Sequence, residues 1–229
     1  MDLYRSIGTN NISFEIVFVG PNEPDYTLPD NFKYIKSNVK PSQCCEAASR
    51  YASGELLLNV VDDIEFRVEA PLDKLYGGYL LYNDEKLILS CRYMMDGVDV
   101  SNECHRFYAT DPTSPIMPAV GLISKQIYCK LGGIDKSFLG LFSDLDIAMR
   151  LYAIGGRVLL SSSVYINEVT RIEIKTSLLA SEVGVHDRLL LNSLWVTDGN
   201  FSFTRTRPFE PFSDERILEE SQGPKGRWI

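Results

Sequence analysis

The acids that could do chemistry fall in two separate runs. In Leu56-Leu57-Leu58-Asn59-Val60-Val61-Asp62-Asp63-Ile64-Glu65 an apolar strand leads straight into three carboxylates. In an open α/β sheet, ligands bind beyond the carboxyl ends of the strands. Oxygen ligands placed there suit Mg²⁺ or Mn²⁺, which often share their shell with substrate phosphates. The same residues also compose a solvated turn, because Asp after a strand caps turns and following helices. The second run is Ser143-Asp144-Leu145-Asp146-Ile147-Ala148-Met149-Arg150. Ser143 reads as an N-cap, with Asp144 and Asp146 in the first turn of a helix. Capping and the helix dipole explain these acids when the run is taken alone.

Both runs need a scaffold, and the hydrophobic pattern supplies one. Short β-branched and aromatic stretches predict strands over Ser13–Gly20, Phe32–Ile35, Leu56–Val61, Leu87–Tyr93, Ala119–Ser124 and Arg157–Ile166. Helices are expected over Pro41–Ser53, Ala70–Leu81, Lys125–Leu131 and Ser143–Ile154, with Pro41 in a first turn and Gly132 and Gly155 as stops. The polar stretch Met94–Pro118 reads as a long loop, of the kind that often carries function. Strand-helix alternation as far as Ile166 predicts an α/β layered domain with a mainly parallel sheet. Ser177–Trp195 reads as one or two helices, followed by a tail rich in aromatics, Arg and Pro. The division expected is a first domain over 1–170 and an extension over 171–229.

Composition narrows the function classes. The net charge of -8 excludes a broadly basic face, and with it wholesale binding of nucleic acid. Five cysteines, an odd number with no Cys-x-x-Cys pair, indicate neither a disulfide framework nor a zinc site. No apolar run reaches the roughly 20 residues that span a bilayer. The start, Met-Asp-Leu-Tyr-Arg-Ser, lacks the pattern of a secretory signal. A cytoplasmic protein is expected, with work at a membrane face left open.

Taken together, the two acidic runs resemble those of the family 2 glycosyltransferases, which share the GT-A fold. The family's Ala-x-Gly-Glu turn reads Ala52-Ser53-Gly54-Glu55 here, and its acidic strand end reads Asp62-Asp63-Ile64-Glu65. Its Gly-Gly-Phe-Asp turn reads Gly132-Gly133-Ile134-Asp135, and its Glu-Asp-x-Asp-Leu block reads Ser143-Asp144-Leu145-Asp146-Ile147, followed by Arg150 and Gly155. The resemblance spans Phe14 to Ile166. It implies an inverting transfer from a nucleotide sugar, a UDP-sugar first, to a hydroxyl of a glycan, polysaccharide or glycoprotein. It further implies that Asp62 and Asp63 bind the donor, that Asp63 and Glu65 hold Mn²⁺ or Mg²⁺, and that Asp144 is the general base. Asp135, Asp146 and Arg150 would orient the helix or face the acceptor.

The chain departs from the family's pattern in three places. The usual first strand is missing, and Met1–Asn11 reads as the end of the helix that follows it. Gly20-Pro21-Asn22 replaces the Asp-Asp-Gly-Ser turn, leaving Gly20 and Asn22 to meet the donor. Asn167-Glu168 stands where relatives carry a metal-binding His, so His186 further on is the candidate ligand. Trp195, Phe201, Phe203, Phe209, Phe212 and Trp228 could stack on sugars or could simply pack the extension. The competing expectation is a degenerate GT-A domain that binds a nucleotide sugar or an assembly partner without catalysis.

Overall fold

A computed structural model describes residues 2–25, 27–61, 63–108, 110–168 and 181–218, without the side chains of Asp2, Cys104 and Glu168. The chain opens with a short helix α1 (Asp2–Ile7), then β1 (Ile16–Gly20), β2 (Phe32–Lys36) and α2 (Pro41–Tyr51). Pro41 sits in the first turn of α2, where its missing N–H costs nothing. The helix closes at Tyr51, with Ala52 in an extended conformation, two residues short of the Ser53 expected. Strands β3 (Leu56–Leu58) and β4 (Ile64–Phe66) flank the first acidic run, and α3 (Pro71–Tyr82) follows. Next come β5 (Leu87–Met95), β6 (Val98–Asp99), α4 (Ser101–Cys104), β7 (Gly121–Ser124) and α5 (Lys125–Leu131). The main part closes with α6 (Ser143–Ala153) and β8 (Arg157–Glu168). Beyond it lie α7 (Glu182–Trp195), a small hairpin of β9 (Val196–Thr197) and β10 (Asn200–Phe201), and a 3₁₀ turn at Asp214–Arg216. The helix expected from Ser177 is described only from residue 182 onward; residues 169–180 lie outside the described ones.

The central sheet runs β3-β7-β5-β8-β4, with β6 folded back on β5. Its directions differ from the mainly parallel sheet expected. Among the described residues only β5 and β8 are parallel in it, while β3–β7, β5–β7 and β4–β8 are antiparallel. The reason is the connections. Parallel neighbours need a crossover of a dozen residues or more, usually helical. The β5-to-β8 connection contains α5 and α6, whereas the excursion between β5 and β7 turns back on itself through β6 and α4.

Strands β1 and β2 form a separate parallel pair. Among the described residues, β1 and β3 each pair along one edge alone. Their starts are tied together, since the Glu15 carboxylate accepts from Ser53 Oγ at 2.6 Å.

Two cores lie on opposite faces. Leu57, Ile88, Ile123 and Val158 face one way, against Ile127 of α5, Ile147 and Leu151 of α6, and Leu190, Leu194 and Trp195 of α7. Leu87, Leu89, Leu122 and Ile166 face the other way, against Leu75 and Tyr79 of α3 and Ile7 of α1. Period-2 alternation sends neighbouring residues at the start of β5 to different cores, which is why Leu87, Ile88 and Leu89 are all apolar rather than alternating. Trp195 is fully buried, so among the aromatics of the extension it serves packing.

Candidate active site

Strand register fixes where the two acidic runs emerge. Leu58 lies opposite Leu122, Leu122 opposite Leu89, and Leu89 opposite Leu159. Strand β3 is antiparallel to β7, and β7 to β5, so β3 runs in the same direction as β5 and β8. Its carboxyl end therefore points to the same edge as theirs. Asp63 comes just before Ile64, which pairs with Glu168 at the carboxyl end of β8. Asp63 is exposed there, and Asp62 lies outside the described residues.

The second run reaches that edge from a helix. A tight turn over 154–156 joins α6 to the start of β8, so α6 runs back against β8 and its first turn points to the carboxyl edge. Its eleven residues rise about 16 Å, the length of some five strand residues. The first turn of α6 thus stands past the level at which β3 ends.

The start of α6 differs from the capping box expected of it. The N-cap position is Phe142, in the left-handed region at φ 61°, and it makes no side-chain cap. Ser143 is the first helical residue, and its hydroxyl meets that of Ser42 at the head of α2, at 3.4 Å. Asp144 Oδ1 accepts from the N–H of Leu145 at 2.9 Å. Asp144 is partly buried, and its loss of hydration pushes the carboxyl up to about 6, against a smaller opposing effect of backbone N–H groups. Cys45 of α2 stands within electrostatic reach. Burial drives its thiol up to about 12, and the charges of Cys44, Asp144 and Glu46 add to the effect. That thiol stays protonated and is no nucleophile.

Three further predicted residues build the support behind Asp144. Asp146 is fully buried and accepts from Arg150 Nε at 2.8 Å, Trp195 Nε1 at 2.9 Å and Arg205 Nε at 3.3 Å. Arg150 also donates to the carbonyls of Leu131 and Gly133, and its guanidinium lies 4.6 Å from the ring centre of Phe209. Asp135 is buried against Arg205 and accepts from the N–H groups of Ser137 and Glu210. These groups lock α5, α6 and the extension together.

The remaining candidates are spread out. Glu65 pairs with Arg67 at 3.0 Å. His186 on α7 is half exposed, and its Nδ1 donates to Asp187 Oδ1 at 2.8 Å. Among the described residues no three His, Cys, Asp or Glu side chains gather into a group that could hold a metal ion. Asp63, Glu65 and His186 therefore do not form one ligand set. Gly20 is buried and its carbonyl already accepts from the Tyr34 hydroxyl at 2.8 Å and the Ser37 N–H at 2.9 Å. Asn22 is exposed in the bend after it.

A further acid, absent from the expected site, is marked by helical spacing. Val183, Asp187, Leu190 and Leu194 recur at that spacing, so Asp187 lies on the apolar face of α7, where an acid must be paired. It is fully buried and accepts from three consecutive backbone N–H groups, those of Leu139, Gly140 and Leu141.

No protein-family model matches the chain, and no curated protein does. Solved structures do. GalNAc-T7 in complex with UDP, GalNAc and Mn²⁺ superposes with a TM-score of 0.62 at 12% identity, over 84% of this chain and 45% of that one. TarS of S. aureus matches with a TM-score of 0.55 at 18% identity, over 90% and 41%, and its 1–349 segment with UDP with 0.54 at 17%, over 86% and 68%. The chain has a GT-A fold. It spans less than half the length of the first two of these proteins. Within the GT-A fold, the carboxyl edge that carries Asp63 and the head of α6 is the strand edge at which open α/β sheets bind ligands.

Proposed function

We propose that this chain is an inverting glycosyltransferase that moves a sugar from a nucleotide donor, a UDP-sugar first, to a hydroxyl of a glycan, polysaccharide or glycoprotein. The observation that carries the reading is Asp144: a partly buried carboxyl at about 6, at the head of α6, on the same sheet edge as Asp63. A general base works best when its pKa lies near the working pH, and a positioned carboxylate contributes about 10²- to 10⁴-fold. Asp144 takes the proton of the acceptor hydroxyl as its oxygen bonds to the anomeric carbon. The nucleoside diphosphate leaves from the opposite face with the bonding electron pair. One displacement inverts the centre and needs no second carboxylate nucleophile.

Asp63 and Asp62 are the residues we assign to the donor, and Asn22 is the further donor contact we assign in place of a base-reading acid. Mg²⁺ and Mn²⁺ are held in phosphate-transfer sites by one or two carboxylates together with substrate phosphates. An exposed Asp63 on the carboxyl edge of the sheet fits that minimal set. A bound ion would supply charge compensation for the leaving diphosphate. Both the Mn²⁺ and UDP bound to GalNAc-T7 and the UDP bound to TarS support this assignment. We assign the first domain, 1–170, to donor binding and catalysis, and the extension, 171–229, to the acceptor side.

The half-paired strands β1 and β3 favour a second reading, a GT-A domain that binds without catalysing. Calorimetry with UDP-glucose, UDP-GlcNAc and GDP-mannose, with and without Mn²⁺, separates the two. Catalysis requires that one donor bind and turn over, and that Asp144→Asn keep the binding and lose the turnover. Donor binding without hydrolysis or transfer by the wild-type chain would leave the binding module.

A further inference from the structure

We propose that Asp187 is a positioning residue whose carboxylate holds the 139–141 turn in the setting that stands Asp144 at the carboxyl edge of the sheet, a role that rests on reading Asp144 as the base. Asp187 Oδ2 accepts from Gly140 N and Leu141 N, each at 2.8 Å, and both carboxylate oxygens accept from Leu139 N at 3.1 Å. Three successive N–H groups aimed at one point make an anion-binding nest. The anion in it is a side chain from α7, more than forty residues further along the chain. Charge assistance makes such bonds roughly twice as strong as neutral ones.

The turn needs that hold because of its neighbour in the chain. Leu141 leads into Phe142, a bulky residue at φ 61°, a conformation that persists only where the surroundings impose it. Phe142 supplies no side-chain cap but accepts, through its carbonyl, the N–H of Asp146 at 3.1 Å, which starts α6. On its other side the turn is fixed to α2, through Leu139 O and Ser42 N at 3.3 Å. Only Phe142 and Ser143 separate the clamped turn from Asp144. His186 supports the clamp from outside. A carboxylate has only acceptor atoms, so the 2.8 Å contact makes Nδ1 the donor and fixes the imidazole tautomer.

Asp187→Asn keeps the size but leaves one acceptor oxygen and turns an NH₂ toward the N–H groups. The experiment has two readouts on the full chain. The first is the titration of the Asp144 carboxyl carbon by NMR: release of the turn lets water in, so the midpoint should fall from near 6 toward the ordinary carboxylate range. The second is kinetics with the donor identified by calorimetry: kcat should fall roughly 10- to 100-fold, as a displaced catalytic group does, with the donor KM within about twofold. Asp187→Glu, which retains the charge, should lie between wild type and Asn, and it carries the test if the Asn variant does not fold. An unshifted Asp144 titration in a folded variant overturns the proposal, as does a loss confined to KM. Should the wild-type chain turn over no donor, the base reading fails by itself, and the titration still decides whether Asp187 sets the surroundings of Asp144.

Discussion

At the scale of the residue, Asp144 sets opposing demands on activity and stability. Its folded-state carboxyl is raised from 3.8 to about 6 by burial, so between those values the folded chain binds a proton that the unfolded chain releases. The stability of the neutral form is fully present below pH 3.8 and is lost as pH rises through 6. Activity runs the other way, since the base must be ionised. The plot of kcat/KM against pH should therefore show an acid limb near 6, falling tenfold per pH unit below it. Asp144→Asn should lose about 10²- to 10⁴-fold in kcat, yet melt higher than wild type at pH 8 and no higher at pH 3.5. A variant with lowered stability at pH 8 would contradict the burial cost inferred for this carboxyl.

At the scale of the element, two groups show how helices are held. The buried cluster of Asp146, Arg150, Arg205 and Trp195 joins α6 to the extension. Removing one partner of a buried ion pair typically costs about 3–5 kcal/mol, because the other charge is left uncompensated. Arg150→Met should show a loss of that size in urea unfolding; a loss under about 1 kcal/mol, the range of exposed pairs, would mean the cluster is solvated. The second group is His105 at the end of α4, buried, with neither ring nitrogen hydrogen-bonded among the described residues. Burial lowers it from 6.5 to about 4, so the unfolded chain binds the extra proton between those values, and stability falls as pH drops through that window. Amide exchange should show the 96–118 excursion opening first as pH is lowered from 7 to 5, and His105→Phe should remove that dependence.

At the scale of the whole molecule, the parts that local physics controls are legible in the sequence. The β-branched runs, Pro41 and Gly132 place strands and helices to within a few residues, because propensity, capping and burial agree there. Sheet direction is not legible, since it depends on how connections travel: the polar stretch after β5 holds a strand and a helical turn that bring β7 in antiparallel. The cap expected at Ser143 falls instead to Phe142, because a cap is a matter of one backbone angle that residue type does not dictate. Asp187 is legible as an acid on an apolar helix face, but its three partners come from a turn far away in the sequence. The extension is part of the same core, with Trp195 and Leu194 packed against α6 and β8. A chain ending at residue 180 should therefore fail to fold cooperatively, as judged by the loss of a thermal transition.

Metal-assisted departure and base-assisted attack can meet at one sugar only if Asp63 and Asp144 face one cleft. Paramagnetic broadening tests this directly, with Mn²⁺ and UDP added to chain carrying labelled aspartate carboxyls. The Asp144 signal should broaden in the wild-type chain and recover in Asp63→Ala. Sharp Asp144 signals in the presence of bound Mn²⁺ and UDP would place the ion elsewhere and contradict a shared site.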